Sequence, residues 1–427
     1  MFDTPLSHML YADDLILIST SKEGLNVCLE KLGTYCETWQ LEVNIKKSKV
    51  IIFNEAGRLV IGSNFYYCKT KLDIVKTYCY LGVEFSCSGS FKFARDCLTD
   101  KAQKAMFSLK ALISQFQLPI KNSLRLFHSL IKPIALYNSE NLAHLSHRQI
   151  RDLEENRKSI SECLMNSHVN TIHQKFLKYL LGVKSNCSNM ATIGELGEYP
   201  LLLRAWVSAL SFWHRSTQMP DDTLVKKALK FITENDHGQS EWLSTIKVIL
   251  NKLDLNVYFV NPNNITTVKF KQICTKKIEE KFRQEWQILL NAQIGKLRFY
   301  KTVKQSFARE PYLDNLNCFQ LRKIVTKFRC SDHRLEIELG RHGNAIPEPG
   351  NRICQICRGN VETESHFIAE CPLYSKLRLK YLGMNVEATM VNIIQPKDKI
   401  MSYNLANYLT KATELRKYML KMRAYFT

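Results

Sequence analysis

Met9-Leu10-Tyr11-Ala12-Asp13-Asp14-Leu15-Ile16-Leu17-Ile18 reads as two apolar strands folded around a pair of carboxylates. Apolar side chains flank the acidic pair on both sides, which predicts a hairpin over Met9–Ser19. Adjacent carboxylates are unfavourable in such a place, because each raises the other's pKa unless a cation lies between them and their partners. Two-metal nucleotidyl transfer gives the pair a reason. Two Mg²⁺ ions about 4 Å apart activate an attacking hydroxyl and steady a leaving pyrophosphate, and carboxylates hold them.

Outward from this hairpin, the spacing of Leu25, Cys28, Leu29, Leu32, Cys36 and Trp39 predicts a helix over Lys22–Gln40. Val43–Phe53 reads as a strand, with further short strands at Phe65–Tyr67, Leu72–Ile74 and Tyr78–Phe85 and turns marked by Gly62, Gly82 and Gly89. From Phe91 onward the pattern is helical, with segments expected at Phe93–Phe116, Ile120–Ile131, Gln149–Ser167, Thr171–Leu181, Pro200–Thr217, Thr223–Asn235, Glu241–Leu253, Thr267–Leu290 and Leu316–Cys330. Gly340–Asn351 reads as a loop entering a small module, and Met401–Tyr425 as a basic amphipathic helix packed against that module.

A chain of 427 residues suggests about two to four domains. No apolar run approaches the roughly 18–20 residues of a membrane span, and Met1–Pro5 opens no leader pattern. The expected location is therefore intracellular, nuclear or cytoplasmic or both, with no membrane partner. The formal charge of +20 favours a polyanionic partner, although a lysine excess kept for solubility is the plainer reading of charge alone. Basic residues crowd Lys269–Arg283 and Lys296–Lys304 with Phe270, Phe282, Trp286, Phe299 and Tyr300 among them. These rings are able to stack on bases, but their helical spacing reads as core.

Of the 14 cysteines, one group has ligand spacing: Cys354-x2-Cys357-x8-His366-x4-Cys371. Three thiolates and one imidazole form a closed tetrahedral set, the ligation of structural rather than catalytic Zn²⁺. Before it, Arg322, Lys323, Lys327 and Arg329 lie on one predicted helix, able to meet phosphates or simply to face solvent.

Tyr11-Ala12-Asp13-Asp14 resembles the Tyr/Phe-x-Asp-Asp box of reverse transcriptases, and the order of motifs after it resembles the non-LTR retrotransposon branch. Trp39-Gln40-Leu41, Asn44 and Lys47-Ser48-Lys49 resemble the next palm motif, and Tyr80-Leu81-Gly82 the primer-grip hairpin. Tyr137-Asn138-Ser139-Glu140 resembles a thumb motif with Asn in place of the usual Gly, and Glu195-Leu196-Gly197 with Pro200-Leu201 a stretch beyond it. Glu362-Thr363-Glu364-Ser365-His366-Phe367 and Cys371-Pro372-Leu373-Tyr374 resemble the family's carboxy-terminal zinc knuckle.

The resemblance implies an α+β, multi-domain fold: a partial palm of antiparallel strands plus helix over 1–90, then a mostly helical remainder. Its expected parts are a thumb at 91–218, a basic helical region at 219–340, a zinc knuckle at 341–382 and a C-terminal helix at 383–427. It implies Asp13 as Mg²⁺ ligand, Asp14 as its supporting carboxylate, and Lys47 near the triphosphate, where a solvated lysine is the plainer reading. Tyr80, Leu81 and Gly82 would position the primer end, and RNA and DNA (template, primer and target site) would be the partners. The family's first catalytic aspartate precedes the Asp-Asp box by many tens of residues, so Asp3 is too close to serve. The expectation is a polymerase fragment inactive alone, or a non-catalytic zinc-dependent nucleic-acid-binding protein derived from such an element.

Overall fold

The acidic pair sits on a hairpin of two four-residue strands, β1 (His8–Tyr11) and β2 (Asp14–Leu17), paired antiparallel with Tyr11 opposite Asp14. The structure is a computed structural model describing residues 6–235, 240–341, 346, 348–383 and 390–426. The expectation for Met1–Pro5 lies outside these residues, as does much of that for Gly340–Asn351. Helix α1 (Lys22–Thr38) starts where the Ser21 hydroxyl accepts the Gly24 N–H at 3.0 Å, relieving one of the unpaired first-turn amides.

Three more strands form a small sheet: β3 (Lys49–Val50), β4 (Phe65–Tyr67) and β5 (Thr70–Ile74), in the order β3-β5-β4. Strand β4 meets β5 through the left-handed pair Cys68-Lys69, while β3 runs parallel to β5, a departure from the all-antiparallel expectation. The strand expected over Val43–Phe53 shrinks to Lys49–Val50. Asn44 takes the chain away from it: its carbonyl accepts the Lys47 and Ser48 amides at 3.1 and 3.0 Å, and its side-chain oxygen accepts Lys47 N–H at 3.2 Å. Asn competes for backbone donors in this way and favours turns over strands. Strands β6 (Thr77–Tyr80) and β7 (Val83–Ser86) make a second hairpin. Leu29, Val50, Phe65, Tyr67 and Leu72 close the small core of this region.

The long helix α2 (Lys92–Phe116) buries Ala94, Leu98, Ala102, Met106, Leu109 and Ile113 along one stripe. The segment expected as one helix over Gln149–Ser167 is two, His147–Glu154 and Ile160–Met165. Each begins with a reciprocal capping box, Ser146 with Gln149 and Ser159 with Glu162, and the Ser-x-x-Glu signal of the second marks the break in the sequence itself.

Beyond these lie α3 (His168–Leu181), α4 (Leu201–Thr217), α5 (Leu224–Asn235), α6 (Glu241–Lys252) and α7 (Thr267–Asn291). Two more, α8 (Phe319–Arg329) and α9 (Lys399–Phe426), complete the long helices. Buried side chains from Ala102 to Ala412 form one continuous apolar cluster, so the boundaries expected at 218, 340 and 382 fall inside a shared core. Among the described residues, no helix is long and apolar enough to cross a membrane.

On α7 the buried face is Phe270, Cys274, Ile278, Phe282, Trp286 and Leu290, a strict four-residue rhythm. Tyr300 is fully buried and Phe299 nearly so. The rings of this basic region therefore belong to the core, and stacking on bases is closed to them. Lys269, Lys271, Lys276, Lys277 and Arg283 remain exposed on the outer face, where Lys276 pairs with Glu280 at 3.9 Å.

Candidate acidic hairpin and metal centre

Asp13 and Asp14 are exposed, as are Leu10 and Tyr11 beside them. Ala12 turns the hairpin with φ of +52°, a left-handed conformation that costs an alanine about 1–2 kcal/mol. Strain of this kind is concentrated at sites where a side chain has to be presented in one direction. Among the described residues, no third Asp, Glu, His or Cys comes close enough to join the pair around one ion. Lys47 is exposed, and no hydrogen bond or ion pair among the described residues ties it to Asp13 or Asp14. Its carbonyl instead accepts the Tyr78 hydroxyl at 2.9 Å, which fastens its turn to β6.

The second hairpin is held more firmly. Leu81 and Gly82 have φ of +46° and +79°, as a two-residue turn matched to strand twist requires. The Tyr137 hydroxyl donates to Leu81 O at 2.8 Å, and a Cβ on Gly82 would lie 3.2 Å from the Tyr137 ring. Thus Tyr80-Leu81-Gly82 and Tyr137-Asn138-Ser139-Glu140, more than fifty residues apart, form one structural joint. Asn138 itself has φ of +52°, which explains the side chain tolerated where Gly is usual: Asn is among the residues that enter this region most readily. Asn138→Gly is expected to leave the midpoint of denaturant unfolding unchanged or raised, whereas Asn138→Val should lower stability by about 1–2 kcal/mol. Equal midpoints for the two variants would refute this account of the joint.

Of the four basic residues expected at a phosphate surface, two turn inward. Arg329 is fully buried: Nε and Nη2 each meet Glu195 at 3.0 Å, Nη2 also meets Glu310 at 2.9 Å, and Nη1 donates to Ile394 O at 2.8 Å. Arg322 is buried and donates from Nη1 to the carbonyls of Leu316 and Asn317, both at 2.8 Å. Their guanidinium groups satisfy the core and are not free for phosphate. Lys323 and Lys327 stay half-exposed. Partial burial lowers the Lys327 pKa against the pull of Asp332, with smaller repulsions from Lys323, Lys184 and Arg334 on the same side as burial.

Glu195 anchors the inner network. Burial alone would raise its carboxyl; Arg329 outweighs that and holds it below the usual range, with Tyr312 Oη donating at 2.6 Å. Gly197, two residues on, has φ of +64°, and a Cβ there would strike Arg309 N at 2.6 Å. Glu195-Leu196-Gly197 is thus a packing device, with each residue type set by its surroundings.

Cys354, Cys357, His366 and Cys371 do come together, their ligand atoms all within 4.8 Å of one another. The knuckle is built by backbone: Cys354 N–H donates to Asn360 O at 2.8 Å, Arg358 N–H to Cys354 O at 2.9 Å, and Arg358 takes φ of +59° to let the chain turn back. Cys357 Sγ lies 3.3 Å from His366 Nε2, close to the roughly 3.5 Å edge that Zn–S of about 2.3 Å and Zn–N of about 2.0 Å would give a tetrahedron. His366 Nδ1 faces Glu370 at 3.4 Å, which leaves Nε2 as the ligand atom. Burial pushes the Cys371 thiol up to about 12 and raises Cys354 as well, so these two hold their protons until a cation replaces them. At Cys357 the opposing effect of burial is outweighed by hydrogen bonds from the Gly359 and Asn360 amides and the neighbouring thiols, which lower it. These residues fit a metal ion and leave no open position for catalysis.

The module is not a separate bead. Helix α9 clamps it: Arg416 meets Glu362 through Nε at 2.7 Å, Tyr408 Oη donates to Phe367 O at 2.7 Å, and Arg423 donates to Ile356 O at 3.0 Å. Glu362 in turn lies 3.8 Å from Cys354 Sγ. The expected packing of the last helix on the module is what the structure has.

Residues 2–85 match the reverse transcriptase (RNA-dependent DNA polymerase) family. No curated protein and no solved structure matches the chain. The match takes in both hairpins, the Lys47 turn and the small sheet, and the chain is related to reverse transcriptases over that region. Joint residues Tyr137 and Asn138, the Glu195–Arg329 network and the Cys/His centre lie beyond it.

Proposed function

We propose that this chain is part of an RNA-directed DNA polymerase of the non-LTR retrotransposon type, and that by itself it binds nucleic acid without extending a primer. The observation that carries the reading is the strained Ala12 turn presenting Asp13 and Asp14 on an apolar hairpin, inside the region related to reverse transcriptases. In that reading Asp13 and Asp14 supply two of the carboxylates for Mg²⁺, whose chemistry is to activate the primer hydroxyl and neutralise the pyrophosphate. Tyr80, Leu81 and Gly82 hold the primer end, with Tyr137 fixing their hairpin. The Cys/His centre takes Zn²⁺ as a structural ion, and Lys323 and Lys327 with the outer face of α7 meet phosphates.

One observation favours the non-catalytic alternative, a zinc-dependent nucleic-acid-binding protein: the described residues bring no third acidic or ligating group to Asp13 and Asp14. A two-metal site built on them needs a carboxylate from outside those residues. The 427 residues alone are therefore expected to give no Mg²⁺-dependent extension of a DNA primer on an RNA template. The same preparation should bind RNA and single-stranded DNA, affinity falling by roughly 0.7–0.9 decades per decade of salt for each phosphate neutralised. Extension abolished by Asp13→Asn would establish catalysis and overturn the inactive reading. Binding that ignores salt, or none at all, would remove the nucleic-acid reading.

A further inference from the structure

Between the end of β7 and the helical body lies a cavity of about 770 Å³, within the range of built ligand sites. Its lining mixes two chemistries. Phe91, Phe212 and Trp242 supply rings, and the Trp242 indole is fixed by donating Nε1–H to Glu140 O at 2.8 Å. Helix α5 adds the apolar Leu224, Val225 and Ile232. Arg95, His144, His147 and Glu241 supply the polar part, with the Phe91 ring edge-on to that of His144.

Arg95 is the unusual member. Its guanidinium is half-buried, and the hydrogen bonds it makes among the described residues, both from Nη1, go to Leu142 O at 3.2 Å and His144 Nε2 at 3.1 Å. Neither partner is an anion, and among the described residues no carboxylate lies within ion-pair distance of Arg95, although Glu241 and Asp96 act on it from further off. Glu241 lies nearby: Oε1 accepts His147 N–H at 3.2 Å, and Oε2 lies 3.4 Å from His144 Nε2. His144 accepts from Arg95 at Nε2 and donates from Nδ1 to Asn141 O at 3.2 Å, so it is the neutral form that fits. A half-buried cation with no carboxylate in direct contact is only partly compensated, and an anion entering the cavity would add the missing direct contact. At the mouth, Gly89 has nothing within 4 Å of where a Cβ would stand.

We propose that this cavity receives one nucleotide of a single-stranded nucleic acid, its base against Phe212 and Trp242 and its phosphate on Arg95. The proposal rests on the nucleic-acid reading above and adds a site to it. Rings and a guanidinium in one cavity match a planar base joined to a phosphate, the pairing that sequence-tolerant single-strand sites use. The position agrees: Ser88-Gly89-Ser90 at the mouth follow directly on the hairpin that carries Tyr80-Leu81-Gly82. A strand whose end is held at that hairpin has a short path to the cavity.

The test is photo-cross-linking of the full chain to single-stranded DNA carrying one 5-iodouracil, with peptides mapped by mass spectrometry, alongside affinity measurements on two variants. Arg95→Gln removes the cation, and Ala228→Phe fills the cavity from α5 without changing charge. Thermal midpoints matching the parent show that each variant is folded. The proposal expects cross-links at Phe91, Phe212 or Trp242, and single-strand affinity lowered about tenfold in either variant. Cross-links confined to other segments, with both variants binding as the parent does, would overturn the cavity while leaving nucleic-acid binding intact. Tight binding of oleate, lost in Ala228→Phe while DNA affinity stays at the parent's value, would assign the cavity to an aliphatic anion and equally overturn it. Failure of the parent to bind any nucleic acid would defeat the broader reading and this site with it.

Discussion

Chelation of the metal, or Cys357→Ser, is expected to unfold more than the knuckle, because the Cys/His centre and helix α9 are one unit. Phe367, Ile368 and Tyr374, the module's own fully buried large apolar side chains, bury too little surface to order some twenty residues at about 1–2 kcal/mol each in backbone entropy. Zinc binding, worth roughly 10–16 kcal/mol in small modules at neutral pH, makes up that deficit. When the ion leaves, three thiols, two of them buried, and Glu362 lose their arrangement, and with it go the seats of Arg416, Tyr408 and Arg423. The purified protein should carry about one equivalent of zinc under reducing conditions. Limited proteolysis after chelation should cut both within 351–374 and in the second half of α9, and His366→Ala should give the same pattern. Since burial raises the Cys371 and Cys354 thiols, zinc must displace protons to bind, and its affinity should weaken as pH falls. Well under half an equivalent of zinc, or a chelated protein with unchanged cleavage, would refute the unit.

Arg329→Ala is expected to cost roughly 3–5 kcal/mol of stability, since it leaves Glu195 and Glu310 inside the core without their shared cation. Arg329→Lys should recover only part, because one ammonium cannot fork across both oxygens of Glu195 and also reach Glu310 and Ile394 O. The pH dependence follows from sign. In the parent, the Glu195 carboxyl is held below its usual value, so its contribution is present above the ordinary glutamate range and is lost as pH falls through the lowered one. In Arg329→Ala the chief opposition to burial is gone, only Lys304 and the Tyr312 hydroxyl remaining, and the same carboxyl rises; it therefore destabilises at neutral pH and is relieved by protonation. The stability gap between the two proteins should narrow as pH is lowered towards about 4. Denaturant unfolding at pH 7 and pH 5 checks this; a gap under about 1 kcal/mol at pH 7, or one that widens on acidification, would contradict the network.

Local chemistry was legible in the sequence wherever a short stretch contains its own reason. Apolar runs on both sides of Asp13-Asp14 marked β1 and β2, Gly82 marked a turn, and the four residues of the Cys/His cluster stood out by their spacing. Where a residue's state is decided far along the chain, the sequence misled. Arg322 and Arg329 look like a solvated basic face on α8, yet Arg329 is drawn inward by Glu195, 134 positions away. Nothing within the helix distinguishes Arg329 from Lys327. The cavity residues Arg95, His144 and Trp242 escaped notice for the same reason, since three separate segments supply them. Two misjudged elements did carry a local signal: Asn44 stops the strand expected over Val43–Phe53, and Ser159 with Glu162 starts a new helix inside Gln149–Ser167.

The claim that residues 2–85 form a polymerase palm holding a primer end is tested most directly by placing a photoreactive base there. A DNA primer ending in 4-thiothymidine, annealed to an RNA template, is cross-linked to the full chain and the attachment sites are mapped. Attachment at Tyr80–Gly82 or at Tyr11–Asp14, reduced in a variant lacking the Tyr137 hydroxyl, is the result this account predicts. Cross-links confined to positions beyond residue 85, unaffected by Tyr137→Phe, would contradict it.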